Sequence, residues 1–445
     1  MNYKKVLKSY HEEMVEELKK FVSIPSVFDE NSKTKAMPFG KDVDAALEYV
    51  AKLGERNGFK VDRCDGYATE LTLGSGKRTV AIYAHADVVP VSGKWDNPPF
   101  DAVIKNGNLY GRGTSDDKGP FISAFYAVKA LQDCGMLNGL TIKLVVGGDE
   151  ERGSSCLDYY FNVLKKEGPD YGFTPDSDFP LIYGEKGISD FFPELKVEIP
   201  HVKSIKGGVA TNAICDRVEL VVDDVSEIKN YCEKSGISHE INGKTVVILG
   251  KSCHGSTPHL GDNAALKTLK MLGEIYHLDS LVKIANGLVE TSGKNFGGFA
   301  QSKLLGKTTY CVGLISYENG VLKFSVNFRY PETVNRVEYK NKFDAFFGTV
   351  SSLGEESHHL LYDPKTSLVK TLLKAYRRET FDFKKPLTTG GGTYAKHAKN
   401  TIAFGALFPG RASTMHEPNE YMPLKDIYKS ADIYATAIKL LGQLK

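Results

Sequence analysis

The sequence predicts an α/β chain of two domains, and three observations lead there. Its 445 residues exceed what one hydrophobic core usually organises. Short apolar runs alternate with amphipathic helical stretches through the first 150 residues, the signature of layered α/β architecture. Near residue 186 the texture changes, and it returns after about residue 364. The expected architecture is therefore a mixed, mostly parallel sheet flanked by helices, built from 1–185 and 364–445. An α+β lid domain, 186–363, is inserted into it.

Element by element, Val6, Leu7, Tyr10, Met14, Leu18 and Phe21 recur at helical spacing, which predicts an opening helix over 3–22 that ends before Pro25. A second helix over 41–57 stops at Gly58. Strands follow at 59–64, 68–73 and 78–84, then a helix at 119–133 and a strand at 140–147. In the insert, strands are expected at 189–199, 205–211, 216–223, 245–250 and 320–330. Helices are expected near 225–235, 262–276 and 335–347. Helix 365–380 and the segments 401–407 and 424–442 complete the first domain.

Composition excludes several function classes. Hydrophobic content of 41% and charged content of 25% are ordinary for a globular chain. A formal net charge of +2, with lysines and arginines spread evenly, leaves no footprint for nucleic acid or an anionic membrane. No segment approaches the ~18 consecutive apolar residues of a membrane span, and none reads as a signal peptide. The seven cysteines are odd in number, widely spaced and never paired as C-x-x-C, so neither a disulfide framework nor a thiolate zinc site is expected. A reducing cytoplasm fits this usage.

Chemistry-bearing residues gather where the predicted strands end, as sites of open α/β sheets do. The run 80–84 leads into His85-Ala86-Asp87. A strand-end histidine ligates a metal through one ring nitrogen, while a carboxylate two residues on can accept the other N–H. Gly113-Thr114-Ser115-Asp116-Asp117-Lys118-Gly119 sets two acids in a tight path before a helix. Strand 140–147 runs into Gly148-Asp149-Glu150-Glu151, and consecutive acids there are costly unless they face solvent or a cation. Asp176 lies in Thr174-Pro175-Asp176-Ser177-Asp178, and His416 in Met415-His416-Glu417-Pro418. Singly, each passes for a surface loop or helix cap. In order they form a donor list for two divalent cations, and nitrogen and oxygen donors without thiolate suit zinc, manganese or cobalt.

With these residues in view, the chain resembles the co-catalytic metallopeptidases that include carboxypeptidase G, aminoacylase, succinyl-diaminopimelate desuccinylase and the bacterial dipeptidases. The stretches HADVVP, WDNPPF, LYGRGTSDDKGP, GGDEERGS and TPDSDFP are similar to the dipeptidase V subgroup, as are TTGGGTYAK and FPGRASTMHEPNEY. The resemblance implies that His85 and Asp176 bind one ion, Glu151 and His416 the other, and that Asp116 bridges both. It implies zinc ahead of manganese as the pair of divalent ions, a cis peptide between Asp116 and Asp117, and Glu150 as general base. Asp87 becomes the partner of His85. His254 is implied as oxyanion donor, and Asn212 and Arg329 as substrate contacts from the lid. From the residues themselves, the glycine run containing Gly391 and Gly392 could offer backbone N–H groups to a carboxylate.

The function expected from these features is dimetal-dependent hydrolysis of short unblocked peptides, chiefly dipeptides, by a monomer. An N-acyl-amino-acid deacylase or desuccinylase would use the same metal residues. A non-catalytic metal-binding protein is the reading from another class, and the retention of Glu150 beside a full ligand set argues against it.

Overall fold

The computed structural model describes residues 2–444. The chain divides into two compact units: Met1–Tyr183 with Tyr362–Leu387 and Thr393–Lys445, and Gly184–Leu361 with Thr388–Gly392.

The first unit is built on a sheet with strand order Lys60–Asp62, Ala68–Leu73, Leu140–Gly147, Arg78–His85, Tyr171–Thr174, Thr401–Ala403. Pairing is parallel across the last four of these strands. It is antiparallel through Ala68–Leu73 and Lys60–Asp62 on one side, and again where Ile182 lies opposite Ala403 on the other. The sheet is thus mixed, with its parallel part confined to the centre. Val80–Ala84 and Leu144–Val146 are buried, as strands covered on both faces require. The helix Lys118–Asp133 shows no polar face for most of its length, because Phe121, Ile122, Phe125, Ala127 and Leu131 are all buried. It packs against the helices Tyr3–Ser9, His11–Val22 and Leu424–Leu441.

The second unit has its own core and an eight-stranded sheet. The order is His239–Asn242, Thr245–Leu249, Arg217–Val222, Val202–Gly207, Thr309–Glu318, Val321–Tyr330, Gly187–Lys196, Val350–Ser357. Every neighbouring pair is antiparallel. The helices Ala264–Ile275 and Arg336–Phe347 begin at asparagines, Asn263 and Asn335, whose side chains accept the first free amide protons.

Several elements depart from the sequence expectation for identifiable reasons. The opening helix is two, Tyr3–Ser9 and His11–Val22. The Ser9 hydroxyl donates to the Val6 carbonyl at 2.6 Å and competes with the helical ladder there. The strand expected to reach residue 211 ends at Gly207. Gly208 follows with φ +83, where a Cβ would fall 1.9 Å from the Gly313 carbonyl oxygen. The segment 401–407 is two short strands, Thr401–Ala403 and Ala406–Leu407, broken at Gly405 (φ +86). Among the elements not expected are the strand Thr309–Glu318 and the helix Asp279–Leu288. The first pairs with Val321–Tyr330 through an Asn319-Gly320 turn with both φ values positive, a two-residue hairpin that the dipeptide announces.

Candidate active site

Three adjacent parallel strands end at the same edge of the first sheet. In register, His85 lies opposite Gly147, and Ile82 opposite Phe173. The residues just past each end are therefore neighbours: Ala86-Asp87 beyond one, Gly148–Glu151 beyond the next, Pro175-Asp176 beyond the third. Two loops join them. One leads into the helix at Lys118 and carries Asp116 and Asp117; the other carries His416, which adopts left-handed backbone at φ +67.

Asp116 occupies the centre. Its Oδ1 lies 2.9 Å from His85 Nε2, and its Oδ2 lies 3.0 Å from His416 Nε2. His416 Nε2 is also 3.1 Å from Glu151 Oε1, and His85 Nε2 is 3.9 Å from Asp176 Oδ2. Two donor triads result, His85–Asp116–Asp176 and Asp116–Glu151–His416, each with its ligand atoms within 4.8 Å of one another. Donor atoms about 2.1 Å from one tetrahedral ion stand about 3.4 Å apart, so these separations match the spread a shared cation requires. Asp117 does not join either triad: it is fully buried and accepts the His85 backbone N–H at 3.3 Å. The peptide bond between Asp116 and Asp117 is cis.

The electrostatics point the same way. Burial opposes a charge on His416, yet the carboxylates of Glu151 and Asp116 outweigh it and push its pKa up to about 12. His85 is likewise raised, against its burial, by Asp116 and Asp87. Burial and the neighbouring Asp116 lift Asp176 to about 7, and burial together with Asp176 lifts Glu150 well above the carboxylate range. Asp116 is held low, against burial, by its two histidines. So many acids in one buried recess are pushed towards their protonated forms for want of positive charge, a deficit that divalent cations on the two triads would make good.

Both polar groups of Asp87 face the second ring nitrogen of His85: the backbone carbonyl lies 2.9 Å from Nδ1 and the carboxylate Oδ1 3.4 Å. The carboxylate also accepts the backbone N–H groups of Glu150 and Glu151, each at 3.1 Å. A carboxylate presented with two convergent amides takes them, and the carbonyl, the nearer group, serves to fix the histidine tautomer. Sequence reading also passed over Arg112 and Glu420, a buried ion pair at 2.7 Å. Both lie inside the GRG and HEPNE stretches, and the signal was two opposite charges, one beside each ligand-bearing loop. Lys118 was overlooked too: its ammonium is fully buried and donates to the carbonyls of Phe21 and Ile24.

The remaining expected residues belong to the second unit. There Arg329 is 3% exposed on an interior strand. Its Nε donates to Asn327 Oδ1 at 2.9 Å, its Nη1 donates to the Gly390 carbonyl at 2.7 Å, and its Nη2 lies 3.3 Å from His254 Nε2. His254 Nδ1 lies 2.7 Å from the Ser256 hydroxyl. Asn212 is exposed, and its carbonyl accepts the Gly255 amide. The glycine run is corrected in part. The Gly391 N–H donates to Thr389 Oγ1 at 3.0 Å, because a threonine two residues back closes a local turn, so that amide is not offered to a ligand. Gly392 is half-buried beside it.

Comparison with known proteins places this arrangement. The model of the family described as "Peptidase family M20/M25/M40" matches residues 81–440. The chain belongs to that peptidase family. A Staphylococcus epidermidis relative named "Putative dipeptidase" is 33% identical to this M20-family chain, over 99% of each. "Putative dipeptidase YtjP" of Bacillus subtilis is 32% identical over the full length of both. Among solved structures, human carnosine dipeptidase 1 shares the fold with a TM-score of 0.64 at 15% identity, covering 99% of this chain and 98% of that one. The M20 chain is thus a peptide-bond hydrolase on a two-unit α/β fold. Among the described residues no helix is long and apolar enough to cross a membrane, and all seven cysteines are free.

Proposed function

We propose that this peptidase is a dimetal dipeptidase that cleaves short peptides with a free amino terminus. One observation carries the reading: the two oxygens of Asp116 face two different histidines, which is how a carboxylate bridges two ions. His85, Asp116 and Asp176 would hold one ion, and Asp116, Glu151 and His416 the other. The donor types suit zinc or manganese, and the family resemblance puts zinc first. When bound, two such cations lower the pKa of a water shared between them and polarise the scissile carbonyl.

The protein's own groups do the rest. Glu150 takes the proton of the attacking water and returns it to the departing amine, so one carboxyl serves as base and then acid. The surroundings that raise its pKa suit it to carry that proton. Asp87 keeps the Glu150 backbone in place through its amide. His85 Nδ1 donates to the Asp87 carbonyl, which leaves Nε2 as the ligating nitrogen.

In the second unit we assign His254 to the oxyanion, Arg329 to the substrate carboxylate and Asn212 to the peptide backbone. This rests on the family resemblance and on Arg329, whose buried guanidinium donates to neutral acceptors, Asn327 Oδ1 and the Gly390 carbonyl. A bidentate anion is the partner such a group fits. A reducing, cytoplasmic setting accords with the unpaired cysteines, and the long inserted unit favours a monomer.

The test is hydrolysis by chelated protein to which zinc or manganese is returned, with free dipeptides compared with N-acetyl and N-succinyl amino acids. Metal-restored cleavage of free dipeptides is the expected result. Cleavage of the acylated substrates alone moves the enzyme to the deacylases, and no metal-restored cleavage of either overturns the reading.

A further inference from the structure

The Asp116 loop and the His416 loop are far apart in the chain, yet one buried side chain fastens them together. Glu420 is fully buried and lies four residues beyond His416. Its Oε1 accepts the backbone N–H of Ser115 at 2.8 Å and that of Asp116 at 3.2 Å. Its Oε2 accepts the N–H of Gly113 at 3.1 Å and the Arg112 guanidinium at 2.7 Å. A backbone bond from the Gly111 amide to the Glu420 carbonyl closes the same junction at 2.9 Å. Arg112 is itself 1% exposed and packs over the Trp95 ring, with its centre 5.2 Å from the centroid.

The segment that Glu420 anchors is closed on itself by Thr414 and by the Glu417 amide on the Thr414 carbonyl, and Tyr421–Pro423 pairs with Asn108–Tyr110. His416 and Asn419 both adopt left-handed backbone, φ +67 and +58, which neither helix nor strand supports. Asn419 is fixed by accepting the Asp96 amide at 2.9 Å, and Thr414 by bonds with Tyr421. Neither contact reaches the Asp116 loop.

We propose that Glu420 is a positioning residue for the metal centre. Its carboxylate gathers three amides of the 113–116 loop and Arg112, and thereby holds Asp116 at the separation from His416 that a second ion needs. The inference rests on the two-metal reading above. It goes further by stating that the two triads depend on Glu420 unequally. Two of the three donors in Asp116–Glu151–His416 sit on the tied loops, but only one in His85–Asp116–Asp176.

The test is calorimetric titration of the chelated protein with Mn2+ or Zn2+, together with steady-state kinetics and thermal unfolding in chelator. Glu420→Gln keeps the size but removes the charge. It is expected to weaken one of the two ions by about 10–100-fold, as loss of a partner that orients a ligand does, and the other ion by less. The fall in activity appears in kcat, with KM within about twofold of the wild type at saturating metal. Glu420→Asp, which keeps the charge for Arg112 but draws it back from the amides, gives a smaller loss and stands in if the glutamine variant does not fold. Glu379→Gln is the structural control. Glu379 is also a buried carboxylate, paired with Lys4 and Thr436, and its loss should lower the melting midpoint without moving metal affinity.

If the Glu420 variants match this control, with both metal constants unchanged, the positioning role is wrong. If wild-type protein binds no second ion, the two-metal reading fails instead, and the two failures are told apart.

Discussion

His416 Nε2 lies 3.0 Å from Asp116 Oδ2, although 300 residues of sequence separate them, and the opposite oxygen of the same carboxylate is committed to His85. A side chain shared in this way makes the two donor triads interdependent. Asp116→Asn replaces one oxygen by an amide that cannot ligate. It should lower the affinity for both ions, with kcat/KM falling at least about 100-fold, whereas Asp117→Asn should leave two ions bound. Metal stoichiometry after dialysis checks both outcomes.

Glu150 belongs to neither triad. Glu150→Gln should therefore keep two ions and leave KM within a few-fold, while kcat falls by about 10²–10⁴-fold, the usual contribution of a general base. Loss of an ion in this variant would reassign Glu150 as a ligand.

The raised pKa values predict how the metal-free protein responds to pH. His416, near 12 when folded, contributes stability that is complete below its unfolded value of about 6.5 and is lost as pH rises. Asp176, near 7 when folded, binds a proton that the unfolded chain has already released above about 3.9, so stability also declines up to about pH 7. Asp116 is shifted the other way, and its stabilisation is lost only as pH falls below the ordinary carboxylate range. In chelator the melting midpoint should therefore be lower at pH 8 than at pH 6.

Metal loading should reverse that trend. Ligation needs neutral imidazole, so His85 and His416 release protons as ions bind, and affinity rises with pH. Calorimetry in two buffers of different ionisation enthalpy measures the release directly, and an absence of proton release would contradict the assignment of the histidines as ligands.

Arg329→Ala should raise KM for dipeptides at least about tenfold, or about 1.4 kcal/mol, with a smaller change in kcat. Arg329→Lys should not restore binding, because an ammonium cannot bond Asn327, the Gly390 carbonyl and an anion from one planar fork. A peptide amidated at its carboxyl terminus should be insensitive to either change.

The sequence disclosed the two donor triads better than it disclosed the second unit. His85, Glu150 and Glu151 stand at or just past the ends of runs of buried apolar residues, which is visible without any structure; Asp176 was read in a loop, because the strand Tyr171–Thr174 before it is short and was not expected. His416 stands in a polar loop and completed the donor list by its order in the chain; its pairing with Glu151 was legible only through family likeness. That Asp87 also takes two backbone amides was not visible, because sequence does not display amides. Glu420 was hidden for the same reason: three of its four partners are main-chain N–H groups. The hairpin of the second unit was half seen, since the strand Val321–Tyr330 was recognised but its partner Thr309–Glu318 was not. The Asn319-Gly320 pair between them was the available clue. The break at Tyr10 was invisible because the apolar phase runs through it unchanged.

Asp87 grips the main chain of Glu150 and Glu151 and leaves their side chains unused as anchors. Position and chemistry are therefore written separately at these two sites. Either side chain can be exchanged while the backbone that carries it stays fixed, so natural drift or a protein engineer could alter metal preference at 151 or reactivity at 150 without rebuilding the scaffold.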